Sequence, residues 1–129
     1  MDITVDYCIF GGGMVGGAMA IGLSKLGYKV AVIEAHKPKP FDKADLPDLR
    51  VSALNRLTQC LLKRYNVWDK VIAMRCQQYQ RLSVWEHSAR ALHFEASQIG
   101  ESYLGYFVEN RILQLALIDT IEQEHADNI

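Results

Sequence analysis

The stretch YCIFGGGMVGGAMAIGLSKLGYKVAVIEA, Tyr7 to Ala35, decides the fold. Val5 to Phe10 is a short apolar run ending at three glycines, the pattern of a buried strand. Met14 to Leu26 carries Val15, Ala18, Met19, Gly22 and Leu26 at helical spacing, and Gly27 supplies the stop. Lys29 to Ala35 reads as strand again, through Val30, Val32 and Ile33. Strand, helix and strand within about 30 residues make a βαβ unit, whose right-handed crossover sets the two strands parallel.

The junction carries G-x-G-x-x-G as Gly11, Gly13 and Gly16. Gly11 permits a tight turn, Gly13 lets backbone approach a pyrophosphate, and Gly16 lets the helix pack closely on the sheet. The anion then sits on the helix N-terminus, where unpartnered N–H groups and the dipole favour negative charge. Ala20 falls on the packing face four residues after Gly16. Glu34 ends the second strand 18 residues after Gly16, the place of a carboxylate that accepts hydrogen bonds from adenosine ribose hydroxyls. An acid there repels a 2′-phosphate, which disfavours NADP at this site.

Composition narrows the remainder. Of 129 residues, half are hydrophobic and 22% charged, as in an ordinary folded domain. A net charge of −1 offers no basic excess for nucleic acid. Cys8, Cys60 and Cys76 are widely spaced with no CxxC pair, which fits a reducing, cytoplasmic setting. The four histidines show no HxxxH or HxH spacing, so no metal site is expected. Tyr7 to Ser24 runs 18 residues without charge, but six are glycine and no Lys or Arg precedes them, so neither a membrane span nor a secretory signal is read.

Beyond the βαβ unit, Pro38, Pro40 and Pro47 mark an extended loop. Helices are expected over Ala53–Tyr65, with Leu54, Leu57, Leu61 and Leu62 on one side, and over Trp68–Met74. Leu82–Glu86 and Leu92–Glu95 read as a hairpin turning near His87–Arg90, and Tyr103–Val108 as a further strand. Hairpin and strand together are expected to begin a second, substrate-side sheet over about residues 79–108. Arg111–Glu122 is an amphipathic helix with Leu113, Ala116 and Leu117 on its core face. A nicotinamide dehydrogenase usually runs from its second strand directly into a helix. The proline-rich excursion here suits a cofactor longer than its ADP part, such as FAD.

Three segments, Tyr7–Ala35, Arg50–Asn55 and Gly105-Tyr106-Phe107-Val108-Glu109-Asn110-Arg111, resemble the flavoprotein aromatic hydroxylases. The likeness is strongest to the ubiquinone-biosynthesis branch, and it covers nearly the whole chain in order. It implies an α/β, Rossmann-like βαβ FAD-binding domain of glutathione-reductase type, with residues 1–36 as the ADP-binding unit. Gly11, Gly13, Gly16 and Glu34 match the ADP-binding positions. Met14, Val15 and Ala35 beside them are counted with the cofactor-binding set. Arg50 and Arg111 match arginines that lie near FAD, and Ser52 is placed near the flavin ring. A guanidinium can pair with phosphate oxygens, so the chemistry is sensible.

The implied activity is hydroxylation of a polyprenyl phenol or quinol with O2, using NAD(P)H as co-substrate. Such a substrate would bring the protein to the inner membrane surface, peripherally. No residue stands out as a general base, and His87 and His93 on the hairpin read as structural or solvated. The family's later Asp-Gly and Gly-Asp segments have no counterpart, since neither dipeptide occurs. The sheet is therefore expected to be incomplete, the chain to be an N-terminal fragment, and the isolated piece to bind FAD weakly or not at all and to have no hydroxylase activity. Rival readings are an amine oxidase-like FAD enzyme, an NAD-dependent dehydrogenase and a non-catalytic nucleotide-binding module. The missing CxxC speaks against a disulfide reductase.

Overall fold

The computed structural model describes residues 3–87 and 90–129. The parallel pair forms as expected, but its first strand, read as buried, is largely exposed, because the sheet has only two strands to cover it. Strand β1 (Tyr7–Phe10) lies beside β2 (Val30–Ile33), in register from Tyr7 opposite Val30 to Phe10 opposite Ile33, and α1 (Met14–Lys25) crosses between them. Gly27, at φ +88°, ends α1, donating to the Ser24 carbonyl while Tyr28 N–H reaches Leu23 O. These two bonds satisfy carbonyls that the last turn would leave orphaned.

The next segment departs from expectation at its start. Val51–Asn55 is a strand, β3, and helix α2 runs over Arg56–Arg64 rather than from Ala53. Two forces set that boundary. Residues 51–55 pair antiparallel along their whole length with β7 (Gly105–Glu109). The Asn55 side chain then accepts the Thr58 N–H at 2.8 Å and caps α2. With the helix starting later, Leu62 and Gln59 face the core while Leu57 is 79% exposed. Buried Gln59 is satisfied by the Tyr103 hydroxyl, which donates to its Oε1.

Helix α3 (Trp68–Met74) stands where its pattern places it. Strand β4 (Gln77–Tyr79) has no apolar signature; it exists because β7 offers its second edge, completing a three-stranded sheet in the order β3-β7-β4. The hairpin forms from β5 (Arg81–His87) and β6 (Arg90–Glu95), with Leu82 opposite Phe94 and Val84 opposite Leu92. The expected turn falls on residues 88 and 89, which lie outside the described residues, as does the His87 side chain. The hairpin is a separate two-stranded sheet: the Gly105–Glu109 strand joins β3 and β4 instead. It starts at Gly105, where a Cβ would overlap the Leu54 carbonyl oxygen across the ladder, so only glycine lets the strands close there.

Helix α4 (Asn110–Glu124) organises the core. Its buried Ile112, Leu113, Ala116, Leu117 and Thr120 follow the three-and-four spacing of one helix face. They pack with Ile21 of α1, Leu62 of α2, Val67, Trp68 and Val71 at α3, and Val108 of β7. Gly17 meets Leu117 so closely that an added Cβ would come within 3.2 Å of the leucine Cβ, which sets the approach of α1 to α4. Thr120 donates to Ala116 O and accepts from Lys70 Nζ, so its buried hydroxyl is satisfied. No helix of the described residues is long and apolar enough to cross a membrane.

Gly105→Ala is expected to destabilise the chain by about 1–3 kcal/mol through overpacking against the Leu54 carbonyl. The midpoint and slope of urea unfolding check it; an unchanged midpoint would show that the β3–β7 closure tolerates a side chain.

Candidate functional site

The glycine loop bridges β1 and α1, residues 11–13 filling the gap between Phe10 and Met14. Gly11 turns the chain at φ +102°, a conformation that side chains rarely adopt, and its N–H donates to Ile33 O at the end of β2. Gly16 lies on the inner side of the turn, where a Cβ would overlap the Gly11 carbonyl oxygen and press on Ile9. Gly13 is the opposite case: a Cβ there would meet no atom within 4 Å, so this position opens outward. The three glycines thus have the turn, close-contact and open geometry that those expected roles require.

Gly13 is also the N-cap of α1, and no side chain caps it. The first helical bond runs from Gly17 N–H to Gly13 O, so the preceding amides of the first turn have no acceptor within the helix. No acidic residue occupies that turn. The helix mouth is therefore bare backbone with positive partial charge, an environment that favours an anion. Met14 turns into the core, whereas Val15 is 80% exposed beside the mouth.

Glu34 follows β2 directly, and its carboxylate reaches back to the loop. Oε2 accepts the Gly12 N–H at 2.7 Å and Oε1 the His36 N–H at 2.9 Å. These bonds, His36 first and then Gly12, hold the carboxyl below the ordinary glutamate value of 4.5, so the group is anionic at neutral pH. A carboxylate has about four lone-pair directions, so two donors leave room for sugar hydroxyls. Ala35, next along, is exposed.

The other expected residues gather at the β7–α4 junction. Asn110 N–H donates to Arg50 O at 2.9 Å, setting Arg50 and Arg111 on neighbouring stretches of backbone. Ser52 Oγ donates to Asn110 Oδ1 at 2.6 Å. Arg50 is exposed. The Arg111 side chain is only 16% exposed, because its Nη1 donates to the carbonyls of Lys39 and Pro40, with the Asp45 carboxylate 3.9 Å from Nη2. Arg111 thus ties down the proline-rich loop.

Two groups escape the sequence reading. Glu109 is buried, accepts from Arg75 and from Asp48 N–H, and stays ionised because the Arg75 guanidinium beside it lowers its pKa. Gln114 Nε2 donates to Gly12 O at 3.0 Å, carrying α4 to the glycine loop. Its signal in the sequence is its spacing, three residues after Arg111 on one helix face. On the hairpin, His93 is exposed and shares a hydrogen bond with Ser83.

The arrangement defines a mixed α/β protein with an anion-receptive strand-to-helix loop, and the same fold occurs in flavin-dependent monooxygenases. The structure of the flavin-dependent monooxygenase PieE in complex with FAD and substrate superposes with a TM-score of 0.63 at 20% identity, over 95% of this chain and 22% of that one. The chain is similar in sequence to 3-demethoxyubiquinol 3-hydroxylase of Escherichia coli K12, 46% identical over 117 residues, which is 91% of this chain and 30% of that protein. Ubiquinone biosynthesis monooxygenase COQ6, mitochondrial, of Xenopus tropicalis is 38% identical over 125 residues, 91% of this chain and 26% of that protein. No family model matches the chain. The chain spans between a quarter and a third of the length of these two relatives.

Two outcomes test the site. In the product of the full open reading frame, Gly13→Ala should leave the unfolding midpoint near wild type yet weaken binding of an ADP-containing ligand, while Gly16→Ala should cost about 1–3 kcal/mol of stability; calorimetry on both variants separates the roles. For Glu34, a depressed folded pKa means its stabilising contribution is complete above the unfolded value of 4.5 and is lost as pH falls through the lower folded value. The stability gap between wild type and Glu34→Gln should therefore stay constant above about pH 5 and close in acid. A gap that opens only in acid would contradict the assignment.

Proposed function

We propose that this chain is the N-terminal, FAD-binding part of a flavin-dependent monooxygenase that hydroxylates a polyprenyl phenol or benzoquinol in ubiquinone biosynthesis, with NAD(P)H and O2 as co-substrates. The observation that carries this reading is similarity to ubiquinone-biosynthesis hydroxylases along nine-tenths of the chain. The glycine loop supports the cofactor half of it. Open backbone at Gly13 and an uncapped helix mouth fit a diphosphate, and an ionised Glu34 beside them fits a ribose.

In this reading the ADP half of FAD lies across Gly11–Gly16, with the backbone amides at Met14 and Val15 toward the diphosphate and Ala35 beside the sugar. Arg50, exposed just before β3, supplies a guanidinium on the cofactor side. Ser52 and Arg111 shape the floor: the first through Asn110, the second by holding the Lys39 and Pro40 carbonyls. When bound, the flavin supplies the redox and oxygen chemistry. The remaining duties of the protein are to orient the aromatic ring and exclude water. The β-sheets outside the βαβ unit form the start of the substrate side, within a domain of glutathione-reductase type. A polyprenyl tail would draw the protein peripherally to the inner membrane surface from the cytoplasm.

The test is to purify the product of the full open reading frame, record its flavin spectrum, and assay NAD(P)H oxidation with a short-chain prenyl phenol or demethoxyquinol. The expected result is a yellow protein that inserts one oxygen atom from labelled O2 into the ring. A colourless protein that reduces or oxidises substrates with NAD alone would overturn the proposal in favour of a dehydrogenase.

A further inference from the structure

We infer that Gln114 is a positioning residue for the glycine loop: it holds the Gly12–Gly13 peptide in the orientation that turns the Gly13 amide toward an anion. Three consecutive glycines give this loop more conformational freedom than any other sequence would. Gly12 is nevertheless gripped on both sides. Its N–H donates to Glu34 Oε2 at 2.7 Å, and its carbonyl accepts from Gln114 Nε2 at 3.0 Å, from a helix 102 residues away in sequence. In a trans peptide the C=O and the following N–H point in opposite directions. Fixing the Gly12 carbonyl toward α4 therefore fixes the Gly13 N–H away from α4, and at Gly13 no Cβ stands in the way of a ligand. If that peptide flipped, an oxygen would face the helix mouth and repel a phosphate.

The Gln114 amide is not needed to join α1 to α4. That contact is made by Leu117 against Gly17 and by Ile21 within the core cluster. Its bond acts on the orientation of one peptide rather than on the packing of the helices. It also links the loop to Arg111, one turn earlier on α4, which holds the proline-rich segment at Lys39 and Pro40. Loop and segment are thus referenced to one rigid helix.

The inference rests on the reading that this loop carries the diphosphate of FAD, and the test separates the two. With the flavin-stripped product of the full open reading frame, FAD and ADP dissociation constants are measured for wild type, Gln114→Met and Gln114→Glu, alongside unfolding midpoints and amide exchange at Gly12. Both variants lack the donor, and both should weaken FAD and ADP by roughly five- to thirty-fold. Riboflavin, which has no diphosphate, should be unaffected. The unfolding midpoint should hold while exchange at the Gly12 amide, held in wild type by Glu34, rises. If wild type binds neither FAD nor ADP, the cofactor reading itself is wrong. If wild type binds both and Gln114→Met binds equally well, the positioning role is wrong and the cofactor reading stands. Affinity lost only in proportion to stability would likewise reduce Gln114 to a packing residue.

Discussion

The turn from β1 into α1 can close only because Gly16 carries no side chain where it meets the Gly11 carbonyl. Everything near the site is built outward from that contact. It brings the start of α1 against the end of β1, leaves the first-turn amides bare, and presents Gly13 to open space. A helix mouth of this kind supplies favourable electrostatics without a single lysine or arginine in the loop. That explains how a chain of net charge −1 can offer an anion site.

The second organising element is the junction of β7 and α4. Within six residues, Glu109, Asn110, Arg111 and Gln114 reach Asp48 and Arg75, Arg50 and Ser52, Lys39 and Pro40, and Gly12. One short stretch therefore sets the relative positions of four segments that are distant in the chain. The Glu109–Arg75 pair at its base is the costliest part, a carboxylate removed from water. It is compensated by two guanidinium bonds and a backbone N–H, the condition under which a buried charge is tolerated.

The two sheets outside the core keep open edges and apolar faces. Phe10 and Ile33 at the ends of the parallel pair, and Val84, Leu92 and Phe94 on one face of the hairpin, are solvent-exposed. The exposed hairpin face lies on the side where the substrate part of the proposed enzyme would be built. The C-terminal residues already approach one edge, where Asn128 O accepts the Val30 N–H.

The amino-acid sequence by itself determines the βαβ unit, the glycine turn at Gly11–Gly16, the helices α3 and α4, and the hairpin. Each of these is written in periodicity, stop signals and glycine placement over a few neighbouring residues. Tertiary structure alone decides that Ala53–Asn55 is strand and not helix, because the competing hydrogen bonds come from β7, 50 or more positions away. It alone recruits Gln77–Tyr79 into a sheet, turns Arg111 onto the loop carbonyls, and brings Gln114 to Gly12. Such contacts depend on where separate segments meet in space, and a local pattern of side chains carries no record of a partner that lies a hundred residues off.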